Sequence, residues 1–230
     1  MKKQGRLIGV GLGPGDPELI TVKGLKALQA ADIVFYPASK IKESLQTSFS
    51  VKILDALKLK VPCRPLLIPM TGKNRKEHYL TAFKNIQKEY DAGKTVLVVS
   101  EGDLLFYSTF GYLLKLAQNE GIDCELIPGI PAFIAAGAEG QQAIVEGNQH
   151  LSVIARPESF EEISAALKKN STLVVMKMSV LDDWYTFLKN NGRPFFYIER
   201  VGTKQQYSTA DFNDLKSCKI PYFSIIIFYE

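Results

Sequence analysis

The chain has 230 residues and a mass of 25.6 kDa, with 46% apolar and 23% charged residues, a globular composition that excludes a disordered or fibrous chain. Lys and Arg number 28 against 24 Asp and Glu; the net charge of +4 is too weak to imply nucleic acid by itself and is compatible with an anionic small molecule. The longest uncharged apolar run, residues 126–138, carries Pro128 and Pro131 and falls short of the roughly 20 residues a spanning helix needs, so no membrane partner is expected.

The predicted elements alternate from the start. Residues 7–11 are a short apolar run, 21–31 have helical spacing, and 33–36 are again strand-like. Residues 74–92 place Tyr79, Phe83, Ile86 and Tyr90 on one helical face, and Gly93 closes that helix. TVLVVS at 95–100 reads as a buried strand, 108–119 as a helix ended by Gly121. Further on, strands at 151–155 and 172–176 flank a helix at 159–170, and a helix at 181–191 leads to a strand at 195–199. Two more strands follow at 206–209 and 222–229, the last reading YFSIIIFY. The rhythm predicts an α/β protein with a mostly parallel first sheet and a mixed second sheet. A boundary near 119–121 gives domains at 1–120 and 121–230.

At the N-terminus, Lys2 and Lys3 precede an apolar stretch broken by Gly9, Gly11, Gly13, Pro14 and Asp16, which is not a signal-peptide core. Cys63, Cys124 and Cys218 are scattered, with only His78 and His150 beside them, so neither disulfides nor a metal cluster is expected. The expected location is cytoplasmic.

Five segments are able to carry chemistry. GVGLGPGDP at 9–17 follows the first strand, but its spacing rejects both the dinucleotide fingerprint and the phosphate-binding P-loop. It reads either as a tight turn or as a close backbone approach to a ligand. EGDLLFYST at 101–109 follows TVLVVS, at the strand end where open sheets bind ligands. There Asp103 can accept hydrogen bonds, and Ser108 or Thr109 can cap the next helix. IPGIPA at 127–132 is a third glycine turn. VMKM at 175–178 and YIERVGT at 197–203 end later strands; Glu199 and Arg200 read by default as a surface ion pair, and Lys177 as harder to bury.

Taken in order, these motifs resemble the tetrapyrrole methylase family over nearly the whole chain. Gly11 to Pro17, Gly102 to Leu104, Pro128 to Ala132 and Gly202-Thr203 occupy its motif positions. Leu104 stands where the family has proline, and Pro131 where it has Ser or Thr. The runs GLGPGDPELITVKGLKAL, GDLLFYSTFGYL, EGNQHLSVI and PYFSIIIF are similar to the branch that methylates C-20 of precorrin-2 or its cobalt-containing equivalent in corrinoid biosynthesis. The resemblance implies two α/β domains holding S-adenosylmethionine in a cleft between them, S-adenosylhomocysteine as product, and a homodimer. Carried over by position, Pro14, Gly102, Asp103, Leu104, Tyr107, Ser108, Thr109, Pro131, Ala132, Met176, Lys177 and Gly202 would contact the cofactor. Candidates for a general base are Asp103, Tyr107 and Tyr112. For the carboxylates of a tetrapyrrole the candidates are Lys40, Arg64, Arg75, Arg156, Lys177 and Arg200, against a reading of at least half as solvated surface charge. Rival readings are methylation of a different tetrapyrrole carbon, or a same-fold methylase acting on ribosomal RNA or a translation factor.

Overall fold

The computed structural model of the chain describes residues 4–41, 44–45, 49–69, 74–217 and 219–230. Cys218 and the side chain of Lys40 lie outside the described residues. The chain forms two compact units, Met1–Pro131 and Ala132–Glu230.

The first unit runs β1 (Arg6–Gly11), α1 (Val22–Gln29), β2 (Ile33–Ala38), β3 (Lys40–Ile41), β4 (Ser44–Leu45), α2 (Phe49–Ala56), β5 (Cys63–Leu67), α3 (Arg75–Asp91), β6 (Thr95–Ser100), α4 (Phe110–Asn119) and β7 (Cys124–Ile127). Its main sheet has the order β5-β2-β6-β1-β7, and every pairing in it is parallel. Such a sheet must be covered on both faces. Alternating residues of the strands supply the two faces. Leu7, Phe35, Val96 and Val98 pack against Tyr79, Phe83 and Ile86 of α3 and Phe110 and Leu113 of α4. Ile8, Val10, Val34, Leu97 and Val99 pack against Leu28 of α1 and Ile53 and Leu54 of α2.

The helix ends follow their cap residues. Thr21 Oγ1 accepts from Gly24 N at 3.1 Å and starts α1. Gly93, with φ +79°, turns the chain after α3. Residues 119–121 prove to be only the turn from α4 to β7. That strand pairs with β1, Leu7 opposite Cys124 and Val10 opposite Ile127, so the first unit runs on to Pro131. A glycine after a helix marks its end, not the sheet its next strand joins. The elements between β2 and α3, among them α2 and β5, carry no clear sequence signal. Pro65 interrupts β5, which tolerates it because an edge strand has a row of unpaired amides.

The second unit runs α5 (Ala132–Glu139), β8 (Leu151–Ile154), α6 (Phe160–Leu167), β9 (Thr172–Met176), α7 (Trp184–Asn191), β10 (Phe195–Glu199), β11 (Tyr207–Thr209) and β12 (Ser224–Phe228). The sheet order is β11-β10-β12-β9-β8, with β8 and β9 parallel and β12 antiparallel to both its neighbours. The apolar β12 is its central strand and is buried throughout. One face packs on Ile163 and Leu167 of α6 and Trp184 and Leu188 of α7; α5 packs on β12 as well.

Candidate active site

In the first unit the parallel sheet sets the carboxyl ends of β1, β6 and β7 side by side on one edge. From β1 the chain leaves through α1 toward β2; from β6 it leaves through α4 toward β7 on the other face. The connections therefore part between β1 and β6, the place where open α/β sheets bind ligands. Here the three loops are joined by backbone. Leu12 N donates to Ser100 O at 2.9 Å, and Gly13 and Gly102 exchange both backbone hydrogen bonds, at 3.2 and 2.8 Å. Gly102 has φ +64°, a conformation that favours glycine. A Cβ on Gly129 would lie 2.2 Å from Gly102 O, and one on Gly11 would lie 2.5 Å from Gly129 N. The three glycines thus meet at contact distance.

Side chains lock the same loops. Asp103 accepts from Leu105 N through Oδ1 at 2.8 Å and from Gly129 N through Oδ2 at 3.0 Å. Ser100 and Ser108 share a hydroxyl hydrogen bond of 2.7 Å, and Ser108 Oγ accepts from Phe110 N at 3.1 Å, starting α4. Thr109 holds the N-cap position without a side-chain cap bond. Glu101 accepts from Ser50 N and Oγ at 3.0 and 2.6 Å, setting a carboxylate at the first turn of α2. Leu104 is buried beside Phe110, in the space left by Gly9, where a Cβ would meet both side chains. Leu105 and Tyr107 are exposed on the edge.

In the second unit the ends of β9 and β10 flank the start of β12. Lys177 N donates to Ser224 O and Arg200 N to Phe223 O, each at 2.9 Å. Both residues are left-handed, with φ +55° and +50°, an uncommon state for side chains with a Cβ. Lys177 Nζ sits 5.7 Å from the Tyr222 ring centroid. Arg200 pairs with Glu199, whose other oxygen accepts from Tyr197 OH at 2.7 Å. Gly202, φ +76°, donates its N–H to Gln206 Oε1 at 2.7 Å.

Residues 6–214 match the family profile of the Tetrapyrrole (Corrin/Porphyrin) Methylases. The chain belongs to this family. It is 34% identical to a precorrin-2 C(20)-methyltransferase from Sinorhizobium sp, over 97% of this chain and 94% of that protein. It is 29% identical to a probable cobalt-precorrin-2 C(20)-methyltransferase from Methanocaldococcus jannaschii, over 94% of this chain and 95% of the relative. Its fold is that of the uroporphyrin-III C-methyl transferase of Thermus thermophilus crystallised with S-adenyl homocysteine, with a TM-score of 0.66, 20% identity and coverage of 98% and 97% of the two chains.

For this tetrapyrrole methylase the structure sorts the expected residues. Pro14, Gly102, Asp103, Leu104, Tyr107, Ser108, Thr109 and Pro131 belong to the three loops at the first edge. Leu104 faces the core, so only its backbone is available to a ligand, and the loss of the family proline there costs no side-chain contact. Ala132 opens α5. Met176, Lys177, Arg200 and Gly202 gather at the second unit's edge, and Arg156 is exposed in the loop after β8. The default reading of Arg200 as an ion pair with Glu199 is what the structure contains, although Glu199 is half-buried. Ser100 and Glu101 escaped the sequence reading; the one available signal was a polar pair ending an otherwise apolar strand.

Arg64 goes elsewhere. It lies near the start of a parallel strand, at the edge opposite the three loops, and pairs with Glu89 at 2.8 Å. Glu89 also takes Lys94 Nζ at 2.5 Å. The hydrogen bond from Lys94 and the two positive charges hold the Glu89 carboxyl below its ordinary pKa, against the opposing effect of burial. A carboxyl depressed in the folded state contributes stability above its unfolded pKa, and that contribution is lost as pH falls through the lower folded value. Glu89→Gln is therefore expected to remove part of the acid-induced loss of stability below about pH 4.5, read from urea unfolding across pH 3 to 7.

Proposed function

We propose that this chain transfers a methyl group from S-adenosylmethionine to C-20 of precorrin-2, or of its cobalt-bearing counterpart, in the cytoplasmic synthesis of cobalamin, and that it works as a homodimer. The observation that carries the reading is the glycine-bridged edge of the first unit in a chain 34% identical, nearly end to end, to a precorrin-2 C(20)-methyltransferase. The residues there suit the cofactor. The edge offers backbone groups, the hydroxyl of Thr109, and exposed Leu105 and Tyr107. Such a set matches a zwitterion with a flat base and has no cradle of the kind a pyrophosphate needs.

When bound, S-adenosylmethionine supplies a sulfonium methyl for in-line displacement. The acceptor is an electron-rich carbon conjugated to pyrrole nitrogens, so alignment within about 3–3.5 Å and exclusion of water are the enzyme's main tasks. The Gly13–Gly102 bridge and the Asp103 tie to Gly129 give the loops the rigidity that alignment needs. Burial pushes the Cys124 thiol up to about 11, which keeps it in the unreactive thiol form. The C-20 proton leaves to a base drawn from Tyr107 or Asp103, of which Asp103 already receives a backbone N–H on each oxygen.

The test is incubation with methyl-labelled S-adenosylmethionine and either precorrin-2 or cobalt-factor II, followed by mass spectrometry and NMR of the product. Label at C-20 is the expected result. No transfer, or label on another carbon, overturns the assignment.

A further inference from the structure

The first turns of α3 and α4 carry a stack that the cofactor reading leaves unused. Tyr79 and Tyr112 lie with ring centroids 4.7 Å apart and planes 24° from parallel. Tyr79 is 5% exposed, whereas Tyr112 is 53% exposed, so Tyr112 covers its partner and keeps an outer face in water. Arg75 Nη2 donates to Tyr79 OH at 3.0 Å, which fixes the guanidinium at the end of the stack. Arg75 Nε is shielded from water and has no acceptor among the described residues. A shielded donor without a partner is costly, and an arriving acceptor relieves that cost.

The place matters as much as the contacts. Both helices begin at the carboxyl edge of the first unit's sheet, α4 directly after the loop of Gly102 and Asp103. Asn74 makes no side-chain cap bond, so the positive start of α3 stands beside the stack, whereas at α4 Ser108 Oγ already takes the Phe110 N–H. Exposed Leu105 and Tyr107 precede Tyr112 on that edge, and Leu67 ends the neighbouring β5. An exposed aromatic face, a guanidinium with a donor unused among the described residues and one uncapped helix N-terminus suit a flat conjugated ligand with carboxylates at its rim.

We infer that Tyr112, backed by Tyr79, is a stacking platform for a pyrrole unit of the tetrapyrrole, and that Arg75 receives one of its rim carboxylates. This rests on the proposed substrate class. It gives Tyr112 a positioning role through its ring and leaves its hydroxyl out of proton removal.

Two titrations of the full chain test it: cobalt-factor II followed by absorbance, and S-adenosylhomocysteine by calorimetry. Tyr112→Ala and Arg75→Gln are each expected to weaken cobalt-factor II by about tenfold while leaving S-adenosylhomocysteine within about twofold. Tyr112→Phe, which keeps the ring, should bind cobalt-factor II like the wild type; Tyr112→Leu, which keeps Tyr79 covered, should weaken the tetrapyrrole as Ala does. Unchanged tetrapyrrole affinity in Tyr112→Ala, Tyr112→Leu and Arg75→Gln overturns the platform. So does an equal loss for both ligands, or a wild-type chain that does not bind cobalt-factor II. A chain that binds the tetrapyrrole and fails to methylate C-20 removes the proposed reaction instead, because these titrations need no turnover.

Discussion

Gly129→Ala is expected to destabilise the first unit by about 2 kcal/mol or more, and to weaken S-adenosylhomocysteine binding by tenfold or more. The added Cβ would sit 2.2 Å from Gly102 O and 2.8 Å from Gly11 Cα. All of these neighbours are backbone, so no side chain can rotate away. The loops after β1, β6 and β7 must separate, and Gly129 N moves off Asp103 Oδ2. For a chain of this size the melting temperature should fall by about 5 °C or more. Gly111→Ala is the control. It lies within α4 with nothing inside 4 Å of the added carbon, so it should be neutral or stabilising by up to about 1 kcal/mol. Thermal melts and calorimetry on both variants separate the effect of the glycine junction from that of any glycine substitution. A Gly129→Ala protein with wild-type melting and affinity would mean that the three loops do not need their close approach.

The alternation of strand and helix was legible because burial on both faces leaves a plain mark, as in TVLVVS, and because Tyr79, Phe83 and Ile86 repeat at helical spacing. Turns were legible at their glycines. What the sequence could not give is which turns meet. Gly11, Gly102 and Gly129 are far apart in the chain, and their contact exists only once β1 lies between β6 and β7. Asp103 looked like a ligand or a base for the same reason: its partner Gly129 N is 26 positions away. The choice between Ser108 and Thr109 as the cap depended on local backbone, and the structure gives the bond to Ser108. Arg64 was a fair candidate by charge alone. Its exclusion from the loop edge depends on the direction of β5, a strand hidden in sequence by Pro65. The stack of Tyr79 on Tyr112 joins two helices whose separate patterns read simply as core and surface.

Asp103→Ala is expected to lower both stability and cofactor affinity. It removes two hydrogen bonds between a carboxylate and backbone N–H groups, at 2.8 and 3.0 Å, and leaves Leu105 N and Gly129 N without their acceptor. A charge-assisted bond contributes about 1.5–3 kcal/mol; only the bond from Gly129 N is partly buried, and water replaces much of the exposed one from Leu105 N, so a net loss of about 2 kcal/mol is expected. Asp103→Asn separates this role from proton removal. The amide keeps one oxygen for one N–H and turns an NH2 group toward the other, so one tie is lost and the loops loosen. A structural tie therefore predicts that Asp103→Asn weakens S-adenosylhomocysteine by several-fold and lowers the melting temperature, with kcat falling no further than the misplaced cofactor requires. A general base predicts the opposite pattern: wild-type melting and cofactor affinity, and a fall in kcat of about a hundredfold or more. Calorimetry, thermal melts and single-turnover rates at saturating ligand decide between them. If the base pattern appears, Asp103 becomes the group that takes the C-20 proton, and the tie to Gly129 becomes the means of aiming it.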